Sequence, residues 1–281
     1  MPSKIVVITG ANSGIGYATV IQLAQKGYSI VTLCRRKEEG DKTVSELKKI
    51  NPSIVAENFA VDLSDLQAVR KTARNIMIKY PVIDRLINNA GYYPNEVAYV
   101  GDIEKSFLAS HLGHMLLTIS LLPALEKASE ARVINLTSAL HSQGRVSHFF
   151  VRDSASTSSQ AYADAKLANF LFTMVLATEL PKNVTTYSVH PGVVGTNFAK
   201  GKNNDFLGIF FSLFRKLLTS PEKGASTSVY LVDESIENLK GNSGGYFANK
   251  KLATARNKDV TSANAQLLWN KSMEVLKPYL T

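Results

Sequence analysis

Lys4-Ile-Val-Val-Ile-Thr-Gly-Ala-Asn-Ser-Gly-Ile-Gly-Tyr17 is the stretch on which the fold turns. Ile5–Ile8 is an apolar run of strand length, and Tyr17 to Gln25 carries Ala18, Val20, Ile21 and Leu23 at helical spacing. Gly10, Gly14 and Gly16 lie between them. Glycine there lets the backbone turn sharply and come close to a pyrophosphate, and the helix start offers N–H groups to its charge. The spacing is G-x-x-x-G-x-G, not the commoner G-x-G-x-x-G. Three glycines alone also suit a plain strand-to-helix turn, but the strand before and the helix after supply the context a dinucleotide site needs.

The same alternation continues outward. Ile30–Leu33, Ile54–Ala60, Ile83–Ile87, Val133–Leu136 and Thr185–Val189 are further apolar runs of strand length. Leu66 to Tyr80, with Val69, Ala73 and Ile76, reads as a helix, as do Gln160 to Leu180 and Ala263 to Leu276. Ser220-Pro-Glu reads as a helix start, with serine at the cap and proline in the first turn. Apolar strands joined by helical crossovers predict an α/β fold: a doubly wound, mostly parallel sheet with helices on both faces. No repeat or linker interrupts the pattern, so a single domain over residues 1–281 is expected. Two segments break the rhythm: polar, Ser-rich Gln143 to Ser159, and a Phe-rich insertion at 196–219 that reads as a substrate flap or lid.

With 281 residues, 45% hydrophobic and 20% charged, the chain can bury a large core. Cys34 is the only cysteine, which excludes an intrachain disulfide and fits a reducing compartment. The net charge of +9 is scattered among acids, as in Arg35-Arg-Lys-Glu-Glu39, so no nucleic-acid footprint is expected. The N-terminus runs straight into the first strand, and no signal peptide or spanning anchor is expected before it.

Ligands of open sheets bind beyond the carboxyl ends of the strands. The second strand ends in Leu33-Cys-Arg-Arg36, with no acid to take a ribose 2′-hydroxyl. Arg35 and Arg36 suit a 2′-phosphate instead, which favours NADP over NAD, although solvated strand-end charges would look the same. Asp62 and Leu63 close the third strand, where the carboxylate can accept from an adenine amine. Asn88-Asn89-Ala90-Gly91 closes the fourth, and its small residues allow close passage of the ribose. Pro191-Gly192-Val-Val194-Gly-Thr196 closes the sixth, with backbone to face a nicotinamide carboxamide.

Tyr162 and Lys166 are four residues apart on one predicted helix and share a face. A free phenol has a pKa of about 10, and a neighbouring ammonium favours the phenolate and lowers that value. Such a phenol can pass a proton to a carbonyl oxygen or take one from an alcohol. Ser138 ends the fifth strand at the same sheet edge, where its hydroxyl can bond that oxygen. Each feature alone also reads as an ordinary surface pair or loop cap. His111 and His114 are three apart, but two histidines without a carboxylate make a poor metal site, so no metal is expected.

In this order, Thr9–Gly16, Asp62, Asn88–Gly91, Ser138, Tyr162-x-x-x-Lys166 and Pro191–Thr196 resemble the short-chain dehydrogenase/reductase family, over nearly the whole chain. Cys34-Arg35, His111-Leu-Gly-His114, Ala161-Tyr-x-x-x-Lys-Leu-Ala-Asn169 and His190-Pro-Gly192 are similar to its retinol-dehydrogenase-like subgroup. The resemblance implies a Rossmann-like fold and an NADP(H) cofactor held by Gly10, Asn12, Ser13, Gly14, Ile15, Gly16, Arg35, Arg36, Asp62, Leu63, Asn89, Ala90, Gly91, Tyr162, Lys166, Pro191, Gly192, Val194 and Thr196. It also implies Tyr162 as acid/base, Lys166 on the ribose hydroxyls and Ser138 on the substrate carbonyl. One position departs from the family pattern. Ser110 stands where the family usually has an asparagine of a water-linked proton relay to the lysine, partly through its main-chain carbonyl.

The resulting expectation is an NADPH-dependent reductase of lipophilic aldehydes or ketones. A carbon–carbon double-bond reductase and a poorly catalytic NADP(H)-binding sensor or scaffold remain as alternatives. Phe206, Phe210, Phe211, Phe214 and Leu217 recur at helical spacing beside Arg215 and Lys216. A core-covering helix, a lid and a peripheral membrane contact through 206–218 all stay open. Cytoplasmic placement is expected, as monomer or homodimer.

Overall fold

The computed structural model describes residues 3–192 and 220–280. Val194, Thr196 and the proposed flap at 196–219 lie outside the described residues. In chain order the elements are β1 (Ile5–Thr9), α1 (Gly14–Gln25), β2 (Ser29–Cys34), α2 (Lys37–Ile50), β3 (Ala56–Ala60), α3 (Leu66–Lys79), β4 (Arg85–Asn88), β5 (Tyr99–Val100) and β6 (Ile103–Glu104). Helix α4 (Lys105–Leu125) follows, then β7 (Ala131–Leu136), α5 (Ser158–Glu179) and β8 (Val184–His190). The described C-terminal part holds α6 (Pro221–Asp233), α7 (Ile236–Leu239), β9 (Tyr246–Ala248), β10 (Lys251–Ala253) and α8 (Ser262–Leu276).

The main sheet has eight strands in the order β10-β9-β8-β7-β4-β1-β2-β3, all parallel except the β9–β10 pair. Neighbours on either side of β1 are therefore β4 and β2, and the order reverses between β1 and β4. That reversal opens a crevice at the carboxyl ends of β1 and β4, the place where a doubly wound sheet takes a ligand. β1, β2, β4 and β7 are almost wholly buried, which explains their unbroken apolar runs.

Each sheet face has its own core. Val7, Leu86 and Val133 meet Val69 of α3, Leu117 of α4, Leu171 of α5 and Leu268 of α8 on one side. Val6, Ile8, Ile87 and Ile134 meet Leu23 of α1, Leu47 of α2 and Leu231 of α6 on the other. Helix α4 is long and apolar enough to cross a membrane, but it is mostly buried within this first core.

Six expected strands and the predicted helices form within a few residues of their expected bounds. Ser220 caps α6 by accepting from the Lys223 N–H at 3.4 Å. At the opposite end of α6, buried Arg85 and Arg132 donate to the carbonyls of Val232 (2.9 Å) and Leu231 (2.7 Å). Glu130 answers both cations, accepting from Arg132 Nε at 2.6 Å and from Arg85 at 3.4 Å. These groups lie at the amino ends of β4 and β7, away from the crevice, and so serve the fold.

Candidate active site at the β1/β4 crevice

The glycine-rich turn joins β1 to α1. Gly10 and Gly14 have φ of +68° and +55°, which only glycine takes without strain. A side chain on Gly16 would meet the Gly10 carbonyl oxygen at 2.2 Å, so glycine is what lets α1 lie against the turn. Ser13 precedes α1 without a side-chain cap, and the first turn carries no acid. The leading N–H groups are thus left for an outside anion, as a pyrophosphate requires. On this ground the residues present fit a dinucleotide.

Neighbouring strand ends lock this turn. Asn89 Nδ2 donates to the carbonyls of Thr9 (2.8 Å) and Gly10 (3.1 Å). The N–H groups of Asn89 and Ala90 donate to Thr9 Oγ1 at 3.0 and 2.9 Å. Asn89, expected as a ribose contact, therefore has its amide nitrogen committed to the turn. Asp62 Oδ1 accepts from Ser64 N (2.9 Å) and Ser64 Oγ (2.7 Å), closing the loop after β3. Arg35 and Arg36 are exposed past β2. Arg36 pairs with Glu39 at 2.5 Å.

The chemical groups converge where β7 meets α5. Thr137 Oγ1 donates to the Lys166 carbonyl at 2.8 Å. Lys166 Nζ and Asn169 Nδ2 both donate to the Leu136 carbonyl at 3.1 Å. Ser138 follows in extended conformation, and its hydroxyl is hydrogen-bonded to that of Tyr162. Lys166 Nζ lies 5.5 Å from the centre of the Tyr162 ring. The three expected residues are thus brought together.

One electrostatic expectation needs correcting. Tyr162 keeps some solvent exposure, yet its surroundings are crowded enough that burial pushes the phenol above its ordinary value; the Ser138 hydrogen bond pulls the other way. The nearby Lys166 ammonium does not outweigh that burial, so the net shift is opposite to the one the sequence suggested. Burial in turn pulls the Lys166 amine down to about 8.

Ser110 sits in a π-turn, Leu108–Leu112, within α4. Such turns often mark functional positions. Its carbonyl is 2.8 Å from His114 Nδ1, and its hydroxyl accepts from Tyr92 N at 3.3 Å. His114 Nε2 is 2.8 Å from Thr9 Oγ1, so the histidine links the π-turn to the glycine-rich turn. His111 turns away, toward Ser272 Oγ of α8 at 3.0 Å.

Thr9 of the glycine-rich motif, His114 of the His-Leu-Gly-His run and Glu39 of the charged run after β2 brace the cofactor end, a role the sequence did not show. Tyr93 and His141 were not singled out from sequence. Tyr93 places its ring 5.4 Å from that of Tyr162. His141 Nδ1 donates to the Ser138 carbonyl at 2.6 Å and stacks on Phe170. Side-chain reach between distant segments creates these roles, and only the spacing of His141 three residues after Ser138 hints at one. Pro191 and Gly192 follow β8 as expected, with Gly192 at φ +85°.

The family model for short chain dehydrogenase matches residues 4–206. The chain belongs to that family. Within it, mouse retinol dehydrogenase 12 is 36% identical over 279 residues, covering 98% of this chain and 87% of that protein. Human retinol dehydrogenase 11 is 34% identical over 280 residues, covering 98% and 86%. Among solved structures, an uncharacterised protein of Mycobacterium paratuberculosis superposes with a TM-score of 0.75 at 26% identity, covering 99% and 96% of the two chains. A Shigella flexneri short-chain dehydrogenase complexed with NADP gives 0.69 at 20% identity, covering 89% and 98%, and is similar in fold. This family member is a retinol-dehydrogenase-like oxidoreductase with a nicotinamide cofactor fold.

Proposed function

We propose that the chain is an NADP(H)-dependent reductase of lipophilic aldehydes and ketones, of retinal-like, steroid-like or long-chain type, with reversible alcohol dehydrogenase chemistry. The observation that carries this reading is the convergence of Ser138, Tyr162 and Lys166 beside a crevice fit for a dinucleotide. A bound nicotinamide supplies the hydride. Ser138 holds the substrate oxygen, Tyr162 delivers its proton to that oxygen, and Lys166 keeps positive charge next to the ring. Burial keeps the Tyr162 phenol in its protonated form, the form that gives a proton to the substrate oxygen.

Arg35 and Arg36 past β2 support the 2′-phosphate form of the cofactor, and the Shigella flexneri relative in fold is complexed with NADP. The retinol dehydrogenases support a small lipophilic substrate. Replacing Tyr162 with Phe tests the assignment. Oxidation of NADPH with a panel of apolar aldehydes should fall on the order of 10²-fold or more, with NADPH binding retained. Unchanged turnover would remove Tyr162 from the mechanism.

A monomer is the oligomeric state this reading favours. Helix α8 packs along the tyrosine-bearing α5, with Trp269 stacked 6.2 Å from Phe172, which leaves that helix less free to pair with a second chain. Sedimentation should give the mass of one chain; a stable dimer would show that another face pairs.

A further inference from the structure

The end of β2 lacks an acid in sequence, yet the fold returns one to it. Glu39 stands in the first turn of α2. One carboxylate oxygen, Oε1, is 2.5 Å from the Arg36 guanidinium. The other, Oε2, accepts from Asn12 Nδ2 at 2.6 Å. Asn12 belongs to the glycine-rich turn, and Arg36 to the turn after β2. The carboxylate therefore spans the gap between the two turns that a dinucleotide's adenosine ribose must cross. Its negative charge reaches the Cys34 thiol at the end of β2, and that sulfur also takes N–H bonds from Ala11 and Asn12.

We propose that Glu39 is the specificity-determining residue for the cofactor, tempering the preference for NADP(H) over NAD(H); the proposal rests on the dinucleotide reading above. An acid in this gap accepts from a ribose 2′-hydroxyl and repels a 2′-phosphate, whereas arginine does the reverse. Here both are present and already paired. NADP(H) must draw Arg36 away from Glu39 and place its phosphate beside a carboxylate. NAD(H) leaves the pair intact and can donate its hydroxyl to Glu39. Arg35, which has no ion pair among the described residues, is left as the arginine that favours the phosphate without competition.

The experiment is direct titration of the full chain with NADPH and with NADH, before and after Glu39→Gln. Glutamine keeps the shape and can still accept from Asn12, so the turn stays braced. The ratio of the two dissociation constants should shift about three- to tenfold toward NADPH, the scale of a half-exposed charge pair plus the relieved repulsion. Glu39→Lys should shift it further in the same direction. A ratio constant within about twofold in both variants, or equal weakening of both nucleotides, would overturn the proposal and leave Glu39 a brace for Asn12. Failure of both nucleotides to bind the unaltered chain would overturn the dinucleotide reading itself, and this proposal with it.

Discussion

His114 Nδ1 donates to the carbonyl oxygen of Ser110 at 2.8 Å, one turn back along α4. A carbonyl only accepts, so Nδ1 carries the proton, and Nε2 of the neutral ring must accept. Thr9 Oγ1, 2.8 Å from Nε2, therefore gives its hydrogen to the imidazole. Its lone pairs then face the N–H groups of Asn89 and Ala90. One ring so fixes the position that departs from the family's asparagine and the turn that cradles the cofactor. His114→Phe strands the Thr9 hydroxyl and loosens both, and should cost about 2–4 kcal/mol in urea unfolding.

Stability should fall in mild acid. Burial pulls His114 down to about 4 and His111 to about 3, from an ordinary 6.5. Between 6.5 and those values the unfolded chain binds more protons than the folded one, so stability rises with pH there and is lost as pH drops. The slope reaches about 1.4 kcal/mol per pH unit for each histidine. Urea midpoints at pH 7 and pH 5 measure it, and His114→Gln should flatten the dependence. An equal midpoint at both pH values would mean that these rings are not held neutral.

Much of this architecture was legible because buried parallel strands must be apolar throughout. β1, β2 and β7 announced themselves in that way, and the glycine-rich turn and Tyr162–Lys166 spacing fixed the two ends of the site. Other elements gave no such signal. Helix α2 buries only Gly40, Thr43 and Leu47, so its charged sequence shows no apolar stripe. β9 and β10 are three residues each, joined by Asn249 and Lys250 in the left-handed region. β9 is held as a strand by pairing with β8 on one side and β10 on the other. Glu39 was read as one charge in a scattered run, since nothing local shows that it reaches Asn12 across 27 residues. The phenol pKa was misjudged for a related reason. Spacing places an ammonium on the same helix face, but it does not show that Lys166 bonds the Leu136 carbonyl or how deeply both groups are enclosed.

Replacing Lys166 with Met separates its charge from its packing. Lys166 is 3% exposed, and burial has already lowered its amine to about 8, so the ammonium costs the fold something to hold. Methionine fills similar space without that cost. The Leu136 carbonyl would still accept from Asn169 Nδ2 at 3.1 Å. The melting temperature should therefore stay within a few degrees or rise. Activity should not survive so well: kcat/KM for NADPH-dependent reduction is expected to fall about 10²-fold or more, because no cation remains near Tyr162. The pH profile gives the sharper readout. In the unaltered enzyme kcat/KM should decline as pH rises through about 8, where the free-enzyme ammonium is lost. In Lys166→Met that limb should vanish. A variant that keeps both its rate and its alkaline decline would show that another group titrates there, and that the lysine only fills space under the tyrosine.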